Sequence, residues 1–262
     1  MTIRTNVWPV GTPCWADCQV DDVATARDFY TAVLGWEYQD TDPEAGGYLV
    51  ATKDGHPVAG VGPKPPGMEQ MPSSWTTYLA SDDVDSTVQT ANAAGGQILM
   101  PPMDVMSAGR MAIITDPTGA AVGLWEGRDH PGAELVNEPG AMCWNELYTS
   151  DLERARAFFT TVFDYSYDDI SNDEMQYNIA KVGGHEVAGM MVNAETPPMW
   201  NVYFTVEDCD KATDTVSQRG GQVFMPPMDT PYGRMSFVQS PQGEVLGLVD
   251  VATTVGEMPQ PN

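Results

Sequence analysis

From Cys14 to Val20 the chain alternates strictly, with Ala16, Cys18 and Val20 on one face and Trp15, Asp17 and Gln19 on the other. That period of two predicts a strand with two differently used faces. The period then lengthens: Val23, Ala26, Phe29, Tyr30 and Val33 recur at helical spacing, with Asp22 placed to cap the helix and Gly35 to stop it. Short strands follow at 36–39, 48–52 and 56–61, divided by Asp-Pro, Gly-Gly and Asp-Gly turns. The result is one β-α-β-β-β unit.

Residues 64–73 are rich in Pro and Gly and lack periodicity, which predicts a loop. A second unit begins with a strand at 75–81, a helix from an Asp83 cap to Ala94, and strands at 97–100, 110–115 and 120–125. Asp116-Pro-Thr-Gly119 is read as the turn before its last strand, and the Met-Pro-Pro-Met segments are read as loops. After a polar stretch the pattern restarts. Trp144 to Asp151 mirrors Trp15 to Asp22 at an offset of 129, and Gly184-His-Glu-Val-Ala-Gly189 mirrors Gly55-His-Pro-Val-Ala-Gly60. The longest repeat is Gly95–Glu126 against Gly220–Asp250, which shares Gly-Gly-Gln, Met-Pro-Pro-Met-Asp, Gly-Arg-Met and Gly-Leu in the same order. Self-similarity of this length means duplication. The expected fold is therefore α+β, four βαβββ units in two domains: 1–129, a linker at 130–140, 141–252, and a Pro-rich tail at 253–262.

Composition narrows the partners. At 262 residues, two domains of ordinary size can each bury about two-thirds of their unfolded surface. A formal charge of −25 repels phosphate backbones and anionic lipid, which argues against nucleic-acid and membrane partners. No stretch has the length of a membrane span, and the first residues lack a signal-peptide core. Cys14 and Cys18 stand four apart on one strand, roughly 13 Å end to end and too far to bridge. Reduced thiols in a cytoplasmic monomer or homodimer are expected.

Three features carry a resemblance to the vicinal-oxygen-chelate superfamily of glyoxalases, bleomycin-resistance proteins and extradiol dioxygenases. They are Asp22…Arg27-Asp-Phe-Tyr30 with its copy Asp151…Arg156-Ala-Phe-Phe159, Asp82-Asp-Val-Asp85 with Glu207-Asp-Cys-Asp210, and Asp116-Pro-Thr-Gly119 with Ser240-Pro-Gln-Gly243. The chain resembles the double-length, glyoxalase-like branch common in actinobacteria. The resemblance implies tandem domains in which paired units enclose a pocket, and a divalent metal held by two His and one Glu. Those ligand positions map onto Trp15, Thr76 and Gly123 in the first domain and Trp144, Asn201 and Gly247 in the second. None is a metal ligand of that type, so no metal or other cofactor is expected. A carboxylate-only site using Asp17 with Glu126, or Glu146 with Asp250, is the remaining metal alternative.

Strand alternation places Trp15, Asp17, Thr76, Tyr78, Gly123 and Trp125 in one pocket, and Trp144, Glu146, Tyr148, Asn201, Tyr203 and Gly247 in the other. Aromatic walls over a glycine-cleared floor suit a small hydrophobic or aromatic metabolite. Simple core packing is the alternative for the tryptophans. Asp17 and Glu146 are either ligand-facing acid/base groups or structural partners of Arg110 and Arg234. Tyr232, where the first domain has Ser107-Ala108, makes the pockets unequal. Metal-independent chemistry of a lyase, isomerase or hydroxylase type competes here with sequestration without turnover and with a metal-dependent glyoxalase or dioxygenase.

Overall fold

The computed structural model describes residues 3–39, 45–256 and 260–261. The Asp-Pro turn expected at 42–43 and residues 257–259 and 262 of the Pro-rich tail lie outside them. The first unit comprises β1 (Pro13–Val20), α1 (Val23–Leu34), β2 (Glu37–Gln39), β3 (Leu49–Lys53) and β4 (His56–Pro63). The second comprises β5 (Ser74–Ala80), α2 (Val84–Ala93), β6 (Gln97–Val105), β7 (Gly109–Thr115) and β8 (Ala121–Gly127). The third comprises β9 (Met142–Thr149), α3 (Leu152–Phe163), β10 (Ser166–Asp169), β11 (Tyr177–Val182) and β12 (His185–Val192). The fourth comprises β13 (Met199–Thr205), α4 (Cys209–Gln218), β14 (Gln222–Thr230), β15 (Gly233–Gln239) and β16 (Val245–Asp250).

Each domain is one eight-stranded sheet, in the order β2-β3-β4-β1-β5-β8-β7-β6 and its exact counterpart β10-β11-β12-β9-β13-β16-β15-β14. The two units of a sheet meet where their first strands pair antiparallel, β1 on β5 and β9 on β13. This α+β arrangement of four βαβββ units matches the expectation. Local signals act as the alternation demands. Asp22 Oδ1 accepts from the amides of Ala24 and Thr25 at the start of α1. Gly35 then ends the helix with φ +68°, a conformation favouring glycine.

One expectation needs correcting. The Met-Pro-Pro-Met segments are not loops but lie inside β6 and β14. Both strands are sheet edges, so a proline's missing N–H faces outward at little cost. Register shifts on either side of Met100 and Met225 mark where the prolines are absorbed as bulges.

The four helices lie between the two sheets, α1 against α4 and α2 against α3. Two apolar clusters result, and each draws on both domains. One joins Ala16, Cys18, Phe29 and Tyr30 to Val202, Phe204, Leu246 and Leu248. The other joins Leu79, Ile114 and Leu124 to Leu147, Phe158 and Phe159. With the helix layer shared, the opposite, concave face of each sheet is left for a site. Phe204 of the second domain packs at 5.4 Å from the Trp36 ring and 5.1 Å from the Trp75 ring of the first. Phe204→Ala should therefore cost about 3–5 kcal/mol, and both domains should melt together. Tryptophan fluorescence and far-UV circular dichroism followed through a urea titration check this; separate transitions would disprove the shared core.

Candidate functional site

The centre of each concave face carries a carboxylate held by tyrosines. In the first domain Asp17 stands opposite Thr76, and Trp15 opposite Tyr78, across the β1–β5 seam. Asp17 Oδ2 accepts from the hydroxyls of Tyr48 and Tyr78, both at 3.2 Å. Trp15 Nε1 donates to the Tyr48 oxygen at 3.0 Å. Burial pushes the Asp17 pKa up to about 7, while the tyrosine hydroxyls pull it part of the way back. No cation pairs with this carboxylate among the described residues.

The second domain repeats the arrangement. Glu146 accepts from the Tyr203 hydroxyl at 2.7 Å. Trp144 Nε1 donates to the Tyr177 oxygen at 3.2 Å. Burial raises the Glu146 pKa, and hydrogen bonding to Tyr177, Tyr203 and Tyr148 opposes the rise. Tyr148 stacks on Phe237 at 6.5 Å, extending an aromatic wall from the β9 side to β15. Tyr48 and Tyr177 were not picked out from the sequence. Their signal was the offset of 129, which makes them copies of each other like Trp15 and Trp144.

The glycines explain the tyrosines. A Cβ at Gly123 would lie 2.2 Å from Tyr78 Cδ1, and one at Gly247 would lie 2.0 Å from Tyr203 Cδ1. On the other side, Gly60 and Gly189 take the hydroxyl ends of Tyr48 and Tyr177. Thus the expected glycine-cleared floor is not open space; tyrosine rings fill it. A metal centre of two His and one Glu does not fit these residues. Its Glu position is a glycine under a ring, and no group of three His, Cys, Asp or Glu converges among the described residues. The carboxylates of the other alternative are directed to backbone amides. Glu126 is used on the Val84 amide at 3.1 Å, and Asp250 on the Ala252 amide at 3.0 Å.

Arg110 and Arg234 are not partners of the pocket carboxylates. Each belongs to the helix-facing side of its strand, and each reaches the first turn of the helix beneath. Arg110 binds Asp85 at 2.6 Å and Asp104 at 3.2 Å, and Arg234 binds Asp210 at 2.5 Å and Asp229 at 2.7 Å. They tie sheet edge to helix and cannot orient a ligand on the far face. The open clefts at the helix borders include neither Asp17 nor Glu146.

The two concave faces differ in cover. In the first domain the stretch after β8 folds back over the site. His130 sits edge-on to Trp15 at 4.4 Å, its backbone oxygen accepts from Trp125 Nε1 at 2.9 Å, and Ala133 donates to the Cys14 oxygen at 2.7 Å. Trp8 joins this cover by donating its Nε1–H to the Ala133 oxygen at 3.2 Å. Burial drops the His130 pKa to about 4. In the second domain, residues 251–256 after β16 stay exposed, and Trp144, Tyr148 and Phe237 keep part of their surface in solvent. Tyr232 stands at the rim, near enough to Glu146 and Glu186 for both to raise its pKa, after burial.

Asp17 is protonated more tightly in the folded chain, about 7 against the ordinary 3.8, so its contribution to stability falls as pH rises through that interval. His130 acts in the opposite sense, losing stability as pH falls from 6.5 toward 4. The comparison must therefore be made between variants at one pH. Asp17→Asn keeps an oxygen for both tyrosines; it should match the parent near pH 4 and exceed it near pH 8 by a few kcal/mol, on the order of the shift. Urea midpoints at both pH values read this directly. Equal differences at the two would show that Asp17 is ionised in the fold.

Comparisons with known proteins agree with this architecture. The family model for the Glyoxalase/Bleomycin resistance protein/Dioxygenase superfamily matches residues 15–124 and again 136–248. "Putative glyoxylase CFP32" of Mycobacterium tuberculosis is 43% identical over 253 residues, covering 92% of this chain and 95% of that protein. "Anthracycline biosynthesis protein DnrV" of Streptomyces peucetius is 36% identical over 257 residues, covering 92% and 94%. Among solved structures, the Mn(II)-bound glyoxalase of Novosphingobium aromaticivorans is similar with a TM-score of 0.66 at 17% identity, over 97% of this chain and 90% of that one. At that identity the likeness speaks for fold alone. With two consecutive matches, and relatives aligned almost end to end, the chain belongs to the Glyoxalase/Bleomycin resistance protein/Dioxygenase superfamily as a tandem two-domain member.

Proposed function

We propose that this chain binds a small, flat, largely apolar metabolite on the concave face of its second domain, without a divalent metal, and that Glu146 handles a proton there. The observation that carries the reading is Glu146 itself: a buried carboxyl on a central strand, surrounded by tyrosine hydroxyls. Burial favours the neutral form of this carboxyl, and a neutral carboxyl is a hydrogen-bond donor as well as a general acid. Aromatic surface from Trp144, Tyr148 and Phe237, each partly in solvent, supplies the flat contact. The name of the Streptomyces relative, an anthracycline biosynthesis protein, supports a flat aromatic ligand. The mycobacterial relative's name, with glyoxylase in it, supports an enzyme acting on a small molecule.

The chemistry open to such a group is tautomerisation. The neutral carboxyl gives its proton to a ligand carbonyl oxygen, and the carboxylate so formed takes the proton released from the neighbouring carbon. No oxidant or metal enters the balance. Tyr203, at 2.7 Å, steadies the carboxylate in between. The same geometry also serves a second reading, sequestration without turnover, because the tyrosines that hold Glu146 restrict its movement.

Native mass spectrometry of gently purified protein, with metal analysis, should find a bound organic molecule and no stoichiometric divalent metal. Glu146→Gln, which preserves size and one acceptor, should keep binding within a few-fold and lower turnover by about 10²–10⁴. Unchanged turnover in Glu146→Gln would remove the acid/base role. Turnover absent in the parent, with an intact ligand recovered, would establish sequestration. Since the neutral form is the active one, parental turnover should decline as pH rises past the raised Glu146 pKa.

A further inference from the structure

Asn201 is 1% exposed, yet neither its amide oxygen nor its amide nitrogen has a hydrogen-bond partner in the protein. It lies directly opposite Glu146 in the β9–β13 ladder and two residues before Tyr203, so it shares the concave face with both. Leaving both ends of a buried carboxamide unpaired is destabilising, since each group forfeits its bonds to water on folding. Natural cores rarely tolerate such a group, and one that persists calls for an explanation. A structural role is a poor one, because a structural amide would be spent on a neighbour. The corresponding residue of the first domain, Thr76 opposite Asp17, is only half-buried and keeps contact with water, so it is under no such constraint.

We infer that Asn201 is the specificity-determining residue of the second-domain site, and that the ligand presents a hydrogen-bond acceptor and a donor on neighbouring atoms of a flat ring, as a lactam does. The inference rests on the concave face of the second domain being the binding site, as proposed above. A carboxamide has its donor and acceptor on one carbon, so it pairs in register with a group whose carbonyl and N–H, or carbonyl and hydroxyl, are adjacent. A single carbonyl would satisfy Nδ2 and leave Oδ1 buried and unpaired. The second hydrogen bond is therefore what the site can select for, and sites of this kind reject analogues that lack the matching group. The aromatic side chains around it do not discriminate in that way, because they contact any flat surface.

The test compares 2-quinolinone, a flat lactam, with N-methyl-2-quinolinone, which keeps the ring and carbonyl but has no N–H. The full-length parent should bind 2-quinolinone at least tenfold more tightly, measured by isothermal titration calorimetry and by thermal shift. Asn201→Leu, close in size and apolar, should bind the two compounds equally. Without ligand it should melt no lower than the parent, since it removes two unpaired polar atoms and leaves none behind. Equal binding of both compounds by the parent, or a preference that survives in Asn201→Leu, would overturn the role of Asn201 while leaving the pocket standing. A marked drop in melting temperature for Asn201→Leu would show that the amide is spent within the fold, and would overturn it too. Failure of the parent to bind either compound would count against the second-domain site itself, and the inference would fall with it.

Discussion

The structure depends on fitting a tyrosine ring over a glycine on the neighbouring strand. Tyr78 lies on Gly123 and Tyr203 on Gly247, with no room for a single added carbon. Tyr48 and Tyr177 use Gly60 and Gly189 in the same way from the other side. Each pair of rings meets over a first-strand carboxyl, and this is what allows Asp17 and Glu146 to be buried without a cation. Hydroxyls can accept or donate as the carboxyl changes state, so they suit a neutral acid as well as an anion. An arginine would have fixed the charge permanently. The arginines instead occupy the opposite face, where they pin sheet edges to helix starts.

The same constraint bears on the last-strand position where the family resemblance implies a metal-ligating Glu. The ligand position on the last strand of a unit is the place where the ring must lie, so a carboxylate side chain and a tyrosine cannot both be there. That is why a likeness in fold to a Mn(II)-bound glyoxalase carries no chemistry to this chain.

Much of the fold was legible because its signals are local and occur twice. The alternation of Trp15, Asp17 and Gln19 against Ala16, Cys18 and Val20, the Asp22 cap and the 129-residue offset each point to the same architecture. The concave residues Asp17, Glu146, Tyr78 and Tyr203 were readable from strand period for the same reason. What remained hidden involved distance along the chain. Tyr48 joins Asp17 from 31 residues away, and nothing in the periodicity of β3 shows where its hydroxyl ends. The partners of Arg110 and Arg234 depended on which face each occupied, and a one-residue step in a strand reverses that. The prolines of β6 and β14 read as loop because propensity does not know that a strand is an edge.

The difference between the domains follows from connectivity. A duplicated sheet would give two equal sites if nothing joined the copies. But the chain leaving β8 must travel to β9, and it crosses the first concave face to do so. Trp125 receives it there through its indole N–H, and the small Ala108 supplies its carbonyl to the amides of Arg128 and His130. The last strand of the second copy has Val249 in place of Trp125, and its hairpin carries Tyr232 in place of the small residues. Residues 251–256, which follow β16, stay exposed. The first copy's concave face carries that returning segment, while the second has a buried acid and an unspent carboxamide. A connection between domains, and not a change of fold, thus makes the two concave faces differ.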